Sequence, residues 1–94
     1  MIKSFRDKAT ETLATGQRVR AFQGFLDQAI RRLAVLNSAT SLDDLRVLRS
    51  NRLEALSGNR DGQFSIRINM QWRVCFRWPE GENGPSDVEI VDYH

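Results

Sequence analysis

Ninety-four residues with 14 Lys and Arg against 12 Asp and Glu, a net charge of +2, and 40% hydrophobic residues describe one domain, residues 1–94, with a modest core; a chain this long buries only roughly 60–65% of its unfolded surface. No run approaches the ~18 consecutive apolar residues of a membrane helix, and Lys3, Arg6, Asp7 and Lys8 interrupt the start where a signal peptide is apolar, so a cytoplasmic protein with no membrane partner is expected. A single cysteine, Cys75, and a single histidine, His94, exclude an internal disulfide and give no metal-ligand spacing, so neither metal nor cofactor is expected.

In chain order, Ile2 to Phe5 alternates as an edge strand does, and a polar stretch that suits one helix runs to the break at Gly16. From Val19 the apolar residues Phe22, Leu26, Ala29, Leu33 and Leu36 fall in steps of four and three, one stripe along a long helix that ends at Asn37 and Ser38. Phe25, Ile30 and Val35 widen that face, while Arg31 and Arg32 lie off it. Ser41 is an N-cap, with Asp43 and Asp44 in the first turn of a short helix through Leu42, Leu45 and Leu48.

The period then changes to two. Leu53 to Leu56 is strand-like, and Asn59 to Gly62 is turn chemistry. Phe64, Ile66 and Ile68 alternate with Ser65, Arg67 and Asn69, and Trp72, Val74, Phe76 and Trp78 with Arg73, Cys75 and Arg77. If both apolar sets face one core, Ile68 opposes Trp72, Ile66 opposes Val74 and Phe64 opposes Phe76. That register sets Arg67 across from Arg73 on the other face, a like-charge pair that is unfavourable unless an anion lies between them. The phase puts Trp72 and Trp78 in the core. A loop from Pro79 to Pro85 leads to a last strand over 87–93, which completes a meander of four strands. The expected architecture is α+β, an N-terminal strand and helices packed on a mainly antiparallel sheet.

Charge is divided along the chain. Residues 46–77 hold seven arginines against Glu54 and Asp61, whereas 78–94 hold five carboxylates and no Lys or Arg. These blocks can pair with each other, Arg67 and Arg73 with Asp87 or Glu89 for instance. Twelve of the fourteen basic residues are arginine, whose planar fork grips phosphate at two points and stacks on bases, and this raises RNA or DNA as a partner. Arg52, Arg60, Arg67 and Arg77 are the candidate RNA-binding residues. At the end of the last strand stand Asp92, Tyr93 and His94, a general-acid/base trio that a docked strand would hold in place. Cys75 lacks a histidine nearby in sequence, which argues against a nucleophilic role.

Arg-Leu-Glu-Ala-Leu-Ser-Gly-Asn-Arg (52–60), Ser-Ile-Arg-Ile-Asn (65–69), Gln-Trp-Arg-Val-Cys-Phe (71–76) and Val-Glu-Ile-Val-Asp-Tyr-His (88–94) together resemble the HigB toxins of the RelE/ParE superfamily, also called plasmid maintenance killer proteins. The resemblance spans essentially the whole chain. It implies a RelE-like fold and a ribosome-dependent endoribonuclease that cuts translated messenger RNA. It also implies a HigA-type helix-turn-helix antitoxin as partner, with operator DNA reached only through that antitoxin. Residue by residue, Arg73 matches the family's catalytic arginine, Asp92, Tyr93 and His94 its catalytic tail, and Arg67 a recurrent position. Glu54 and Ser57 depart from relatives that carry basic or histidine residues there, which bears on the cleavage rate or on which group is the base.

Metal-free RNA cleavage needs a base for the attacking 2′-hydroxyl, an acid for the departing 5′-oxygen and cations for the phosphorane. His94, with an ordinary pKa of ~6.5, suits the acid. The base stays open between Asp92, Tyr93 and a ribosomal group, with Arg73 and Arg67 as the cationic pocket. Two other functions fit the chain: a toxin of the same fold that inhibits DNA gyrase by protein contact, and a non-catalytic RNA- or ribosome-binding module. The Asp-Tyr-His tail argues against the first.

Overall fold

The computed structural model describes residues 1–92. Helices Lys8–Ala14 (α1), Leu26–Ser38 (α2) and Leu42–Val47 (α3) precede strands Glu54–Ala55 (β1), Gln63–Arg67 (β2), Trp72–Arg77 (β3) and Ser86–Asp92 (β4). The strands form one antiparallel sheet in the order β1-β2-β3-β4. This is the expected α+β meander with helices against one face.

The predicted register holds. Phe64 pairs with Phe76, Ile66 with Val74 and Arg67 with Arg73, and the Ile68 amide donates to the Trp72 carbonyl at 2.9 Å. Ile66, Ile68, Val74, Phe76, Val88 and Ile90 therefore share one face, where they form a single buried cluster with Leu13 of α1, Ala29, Leu33 and Leu36 of α2, and Leu45 of α3. Trp78 is buried with its indole N–H donating to the Glu82 carbonyl at 2.9 Å, which satisfies the one polar atom it brings into the core. Ser41 caps α3 by accepting from the Asp44 amide. Thr40 donates to Asp44 from both its amide and its hydroxyl, and these bonds hold the Asp44 carboxyl below its usual range.

Two expectations are corrected. The long helix from Val19 is broken: Arg20–Phe25 is a 3-10 segment, and α2 begins only at Leu26. Phe22 and Phe25, three residues apart, are the buried pair, and both rings meet Trp72, with centroids 6.0 and 4.8 Å away. Residues three apart eclipse on a 3-10 turn, which lines the two rings up toward one indole. Gly24, between them, weakens the α-helical alternative.

The N-terminal strand is reduced to one parallel bridge, Phe5 to Val88. Residues 3–6 do run along the outer edge of β4: Lys3 N–H donates to the Pro85 carbonyl, Val88 N–H to Ser4 and Arg6 N–H to Val88. Pairing stops there because Asp7, extended and capping α1, turns the chain away. At the other end Asp87 has a left-handed φ of 52°, beside the register shift between Cys75 and Arg77. Such a bulge shortens any regular ladder.

The buried Thr10 hydroxyl of α1 takes over where this segment leaves off, accepting the Ile90 N–H at 3.0 Å. Replacing it with the isosteric valine strands that amide in the core. Thr10→Val is expected to cost ~1–3 kcal/mol, seen as a lower urea midpoint at unchanged slope.

Candidate functional site

The sheet face away from the helices is polar and rich in arginine. Pairing along the ladder aligns Glu54 with Ser65, Ser65 with Cys75 and Cys75 with Glu89, while Arg73 stands between Arg67 and Val91. Arg73 is closely confined, its side chain 11% exposed against 29% for Arg60 and 42% for Arg77. Its Nε donates to Ser65 Oγ at 2.8 Å and its Nη2 to the Arg52 carbonyl at 2.7 Å, while Nη1 lies 3.4 Å from Glu54 Oε1. Guanidinium placement is thus set from β1, β2 and the turn before β1. Arg52 contributes through its backbone, in a left-handed conformation with φ 48° and ψ 54°. That conformation is costly for a residue with a side chain and is held by its surroundings.

Arg67 and Arg73 are ladder partners, as the alternation requires, yet they splay apart: Arg67 Nε donates to the Asn69 carbonyl at 3.1 Å, and Arg73 turns the other way. Glu89 and Asp87 go to other arginines. Glu89 holds Arg6 at 3.2 Å and Arg60 at 3.3 Å, and Asp87 lies 3.7 Å from Arg77. Arg60 also donates to Gln63 Oε1 at 3.0 Å. Of the four candidate RNA-binding arginines, Arg60 and Arg77 are thus engaged by carboxylates. Among the described residues no carboxylate lies within ion-pair reach of the Arg52 or Arg67 side chains.

Asp92 ends β4 opposite Trp72, in phase with the core face, so it and Arg73 start from opposite sides of the sheet. Its Oδ2 accepts from Gln71 Nε2 at 3.0 Å, and its side chain is exposed. Tyr93 and His94, also named from the sequence, lie outside the described residues. Two partners of Arg73 escaped the sequence-based reading: Ser65, which looked like a spacer in an alternating strand, and Glu54, noted as a carboxylate within the arginine block and as a departure from the family but not as a partner of Arg73. The β1–β2 alignment was the signal that would have found both.

Cys75 is buried on this face, and burial pushes its thiol above the ordinary value of 9.0, with the nearby Arg60 and Arg73 pulling the other way and Glu89 adding to the rise. At neutral pH it is a protonated thiol, which is not the form that acts as a nucleophile. The folded state keeps a proton that the unfolded chain releases above 9.0. Folding stability therefore falls as pH rises from there toward the raised value and is untouched below it. Urea titrations at several alkaline pH values should show this decline in the wild type and a shallower one in Cys75→Ala.

Helices cover one face of a four-stranded meander and leave the other polar, with an arginine held at its centre, which defines a small α+β protein with an electrophilic sheet face. The family model for the RelE-like toxin HigB of type II toxin-antitoxin systems matches residues 3–94, and the chain belongs to that family. Among its relatives, "Toxin HigB-1" of Vibrio cholerae serotype O1 is 37% identical over 83 residues, 86% of this chain and 87% of its own. "Endoribonuclease HigB" of Proteus vulgaris is 30% identical over 95 residues, the whole of both chains. The protein is therefore a type II toxin, and its partner is an antitoxin. Among the described residues no helix is long and apolar enough to cross a membrane.

Proposed function

We propose that this toxin is an endoribonuclease that cuts messenger RNA on the translating ribosome in the cytoplasm and thereby stops translation. A helix-turn-helix antitoxin of the HigA type silences it, and operator DNA is engaged only through that antitoxin. The observation that carries this reading is the confinement of Arg73, a cation preorganised by Ser65, the Arg52 carbonyl and Glu54 on the sheet face away from the helices. A preorganised donor spends nothing on reorganisation when charge develops in the transition state. The same activity is in the name of the Proteus vulgaris relative.

In this reading the 2′-hydroxyl attacks the adjacent phosphate, and Arg73, with Arg67 beside it on the ladder, stabilises the phosphorane oxygens. His94 gives its proton to the departing 5′-oxygen. The proton of the 2′-hydroxyl goes to Asp92, to Tyr93 or to a ribosomal group. Tyr93 also offers a ring on which a base can stack. Arg52, Arg60 and Arg77 line the approach of the strand.

Translation-coupled cleavage of a defined messenger tests the scheme. Arg73→Ala, and deletion of Tyr93 and His94, should each lower the rate by about 10²- to 10³-fold while folding and antitoxin binding persist. Full cleavage by either variant overturns the assignment, and loss confined to Cys75→Ser would point to a thiol nucleophile.

A further inference from the structure

Asn51 is a polar side chain that the fold buries completely, at 0% exposure. An amide in such a place costs stability unless both of its ends are bonded. Both are: Oδ1 accepts from Arg32 Nη1 of α2, and Nδ2 donates to the Leu45 carbonyl of α3 at 3.0 Å. The Asn51 backbone N–H donates in turn to the Leu48 carbonyl at 3.0 Å. One residue thus ties α2, α3 and the 3-10 turn Arg49–Asn51 together. Next in the chain comes Arg52, held at φ 48° and ψ 54°, whose carbonyl accepts from Arg73 Nη2 at 2.7 Å. The direction of that carbonyl follows the backbone of the turn, so it is as fixed as the turn is. Arg52 itself is exposed, and its N–H bond to the Arg49 carbonyl stays within the turn. Leu53, on its other side, packs against the core, but an apolar contact has no direction. The two bonds of the Asn51 amide do.

We infer that Asn51, with Arg32 behind it, is a positioning residue for Arg73 and acts through the Arg52 carbonyl. This role rests on the nuclease reading for what Arg73 does to RNA, and it extends the support of that guanidinium from the sheet to α2 and α3. A leucine fills a similar volume without taking an amide out of water, so space-filling alone does not call for asparagine at this place. What the amide adds is a fully bonded, directional joint in the interior, where such joints hold one arrangement. Arg32 is half-buried, lies off the apolar stripe of α2, and reaches Asn51 from nineteen residues away. Neither side chain stands on the arginine face, and both bear on it through one backbone carbonyl.

The test combines cleavage kinetics on ribosome-bound messenger with hydrogen exchange of the Arg73 guanidinium protons, identified by NMR as the signals lost in Arg73→Ala. Asn51→Leu should lower kcat by about 10- to 100-fold with little change in KM, because a misplaced donor is felt in the transition state more than in binding. Arg32→Met should act in the same direction more weakly, and Arg32→Lys, which keeps a donor on a stem of similar length, should recover most of that loss. Since Asn51 acts through Arg73, Asn51→Leu/Arg73→Ala should be no slower than Arg73→Ala alone. Exchange of the Arg73 protons should quicken about tenfold in Asn51→Leu, as loss of a hydrogen bond does. Should Asn51→Leu fail to fold, Arg32→Met carries the same cycle and the same exchange measurement. Losses that multiply in the double variant overturn the inference, as do full-rate cleavage or unchanged Arg73 exchange in the folded single variant. Exchange needs no cleavage, so a wild-type toxin that never cuts messenger would refute the nuclease reading, while exchange would still decide whether Asn51 holds Arg73.

Discussion

Everything on both faces of the sheet depends on one pairing, β2 against β3 in the register that opposes Ile66 to Val74. Because side chains alternate with a period of two, a slip of one residue would turn one strand over against the other, exposing either Ile66 or Val74 and Phe76 and driving either Arg67 or Arg73 and Arg77 under the helices. A buried guanidinium group without a matching carboxylate would cost several kcal/mol. Burial of the apolar set and exposure of the cationic set thus enforce the same register. The arginine face is the unavoidable reverse side of the core.

That register also creates the strain that the arginine side chains resolve. Two like charges on directly opposed ladder positions repel, and the structure separates them by turning Arg73 toward β1 and the Arg52 carbonyl while Arg67 leans to the β2–β3 turn. Glu54 beside Arg73 has a double effect. It draws the guanidinium toward β1, and it competes with any phosphate for the same N–H groups. With its side chain 54% exposed against 11% for Arg73, Glu54 is the partner that solvent can take back. The ion pair therefore orients the arginine more than it neutralises it, consistent with the small net worth of exposed pairs.

The second half of the chain was legible because its information is local. Alternation fixed strand phase, and hydrophobic matching fixed the β2–β3 register, Arg67 against Arg73 included. The first half was less so. A stripe at Phe22, Leu26 and Ala29 fits an α-helix, but Phe25 is the residue the core takes and Leu26 stays half-buried, because Trp72 from a strand fifty residues away chooses between them. In the same way the period-two signal of Ile2 to Phe5 was real, but a ladder also needs a regular partner, and the Asp87 bulge removed it. At the site, the cation was legible and its anchors were not. Ser65, Glu54 and a backbone carbonyl of Arg52 carry no motif, and only the fold brings them to one guanidinium.

The described chain ends on β4, and that strand is held on both edges. Its inner edge is the long ladder to β3. Along the outer edge, the N-terminal segment supplies backbone partners through Arg6 and α1 adds the Thr10 hydroxyl to the Ile90 amide. An outermost strand left open would offer unpaired amides to another chain, and its last residues would fray. Here the same contacts that close the edge also fix the strand ending at Asp92 relative to β3, and hence to Arg73. Two side chains separated by nineteen residues in sequence can then keep one spacing, provided both neighbours of β4 stay in place. Edge protection and site geometry are for that reason one requirement, and the N-terminal segment, which contributes no side chain to the arginine face beyond Arg6, meets it from the far side of the strand.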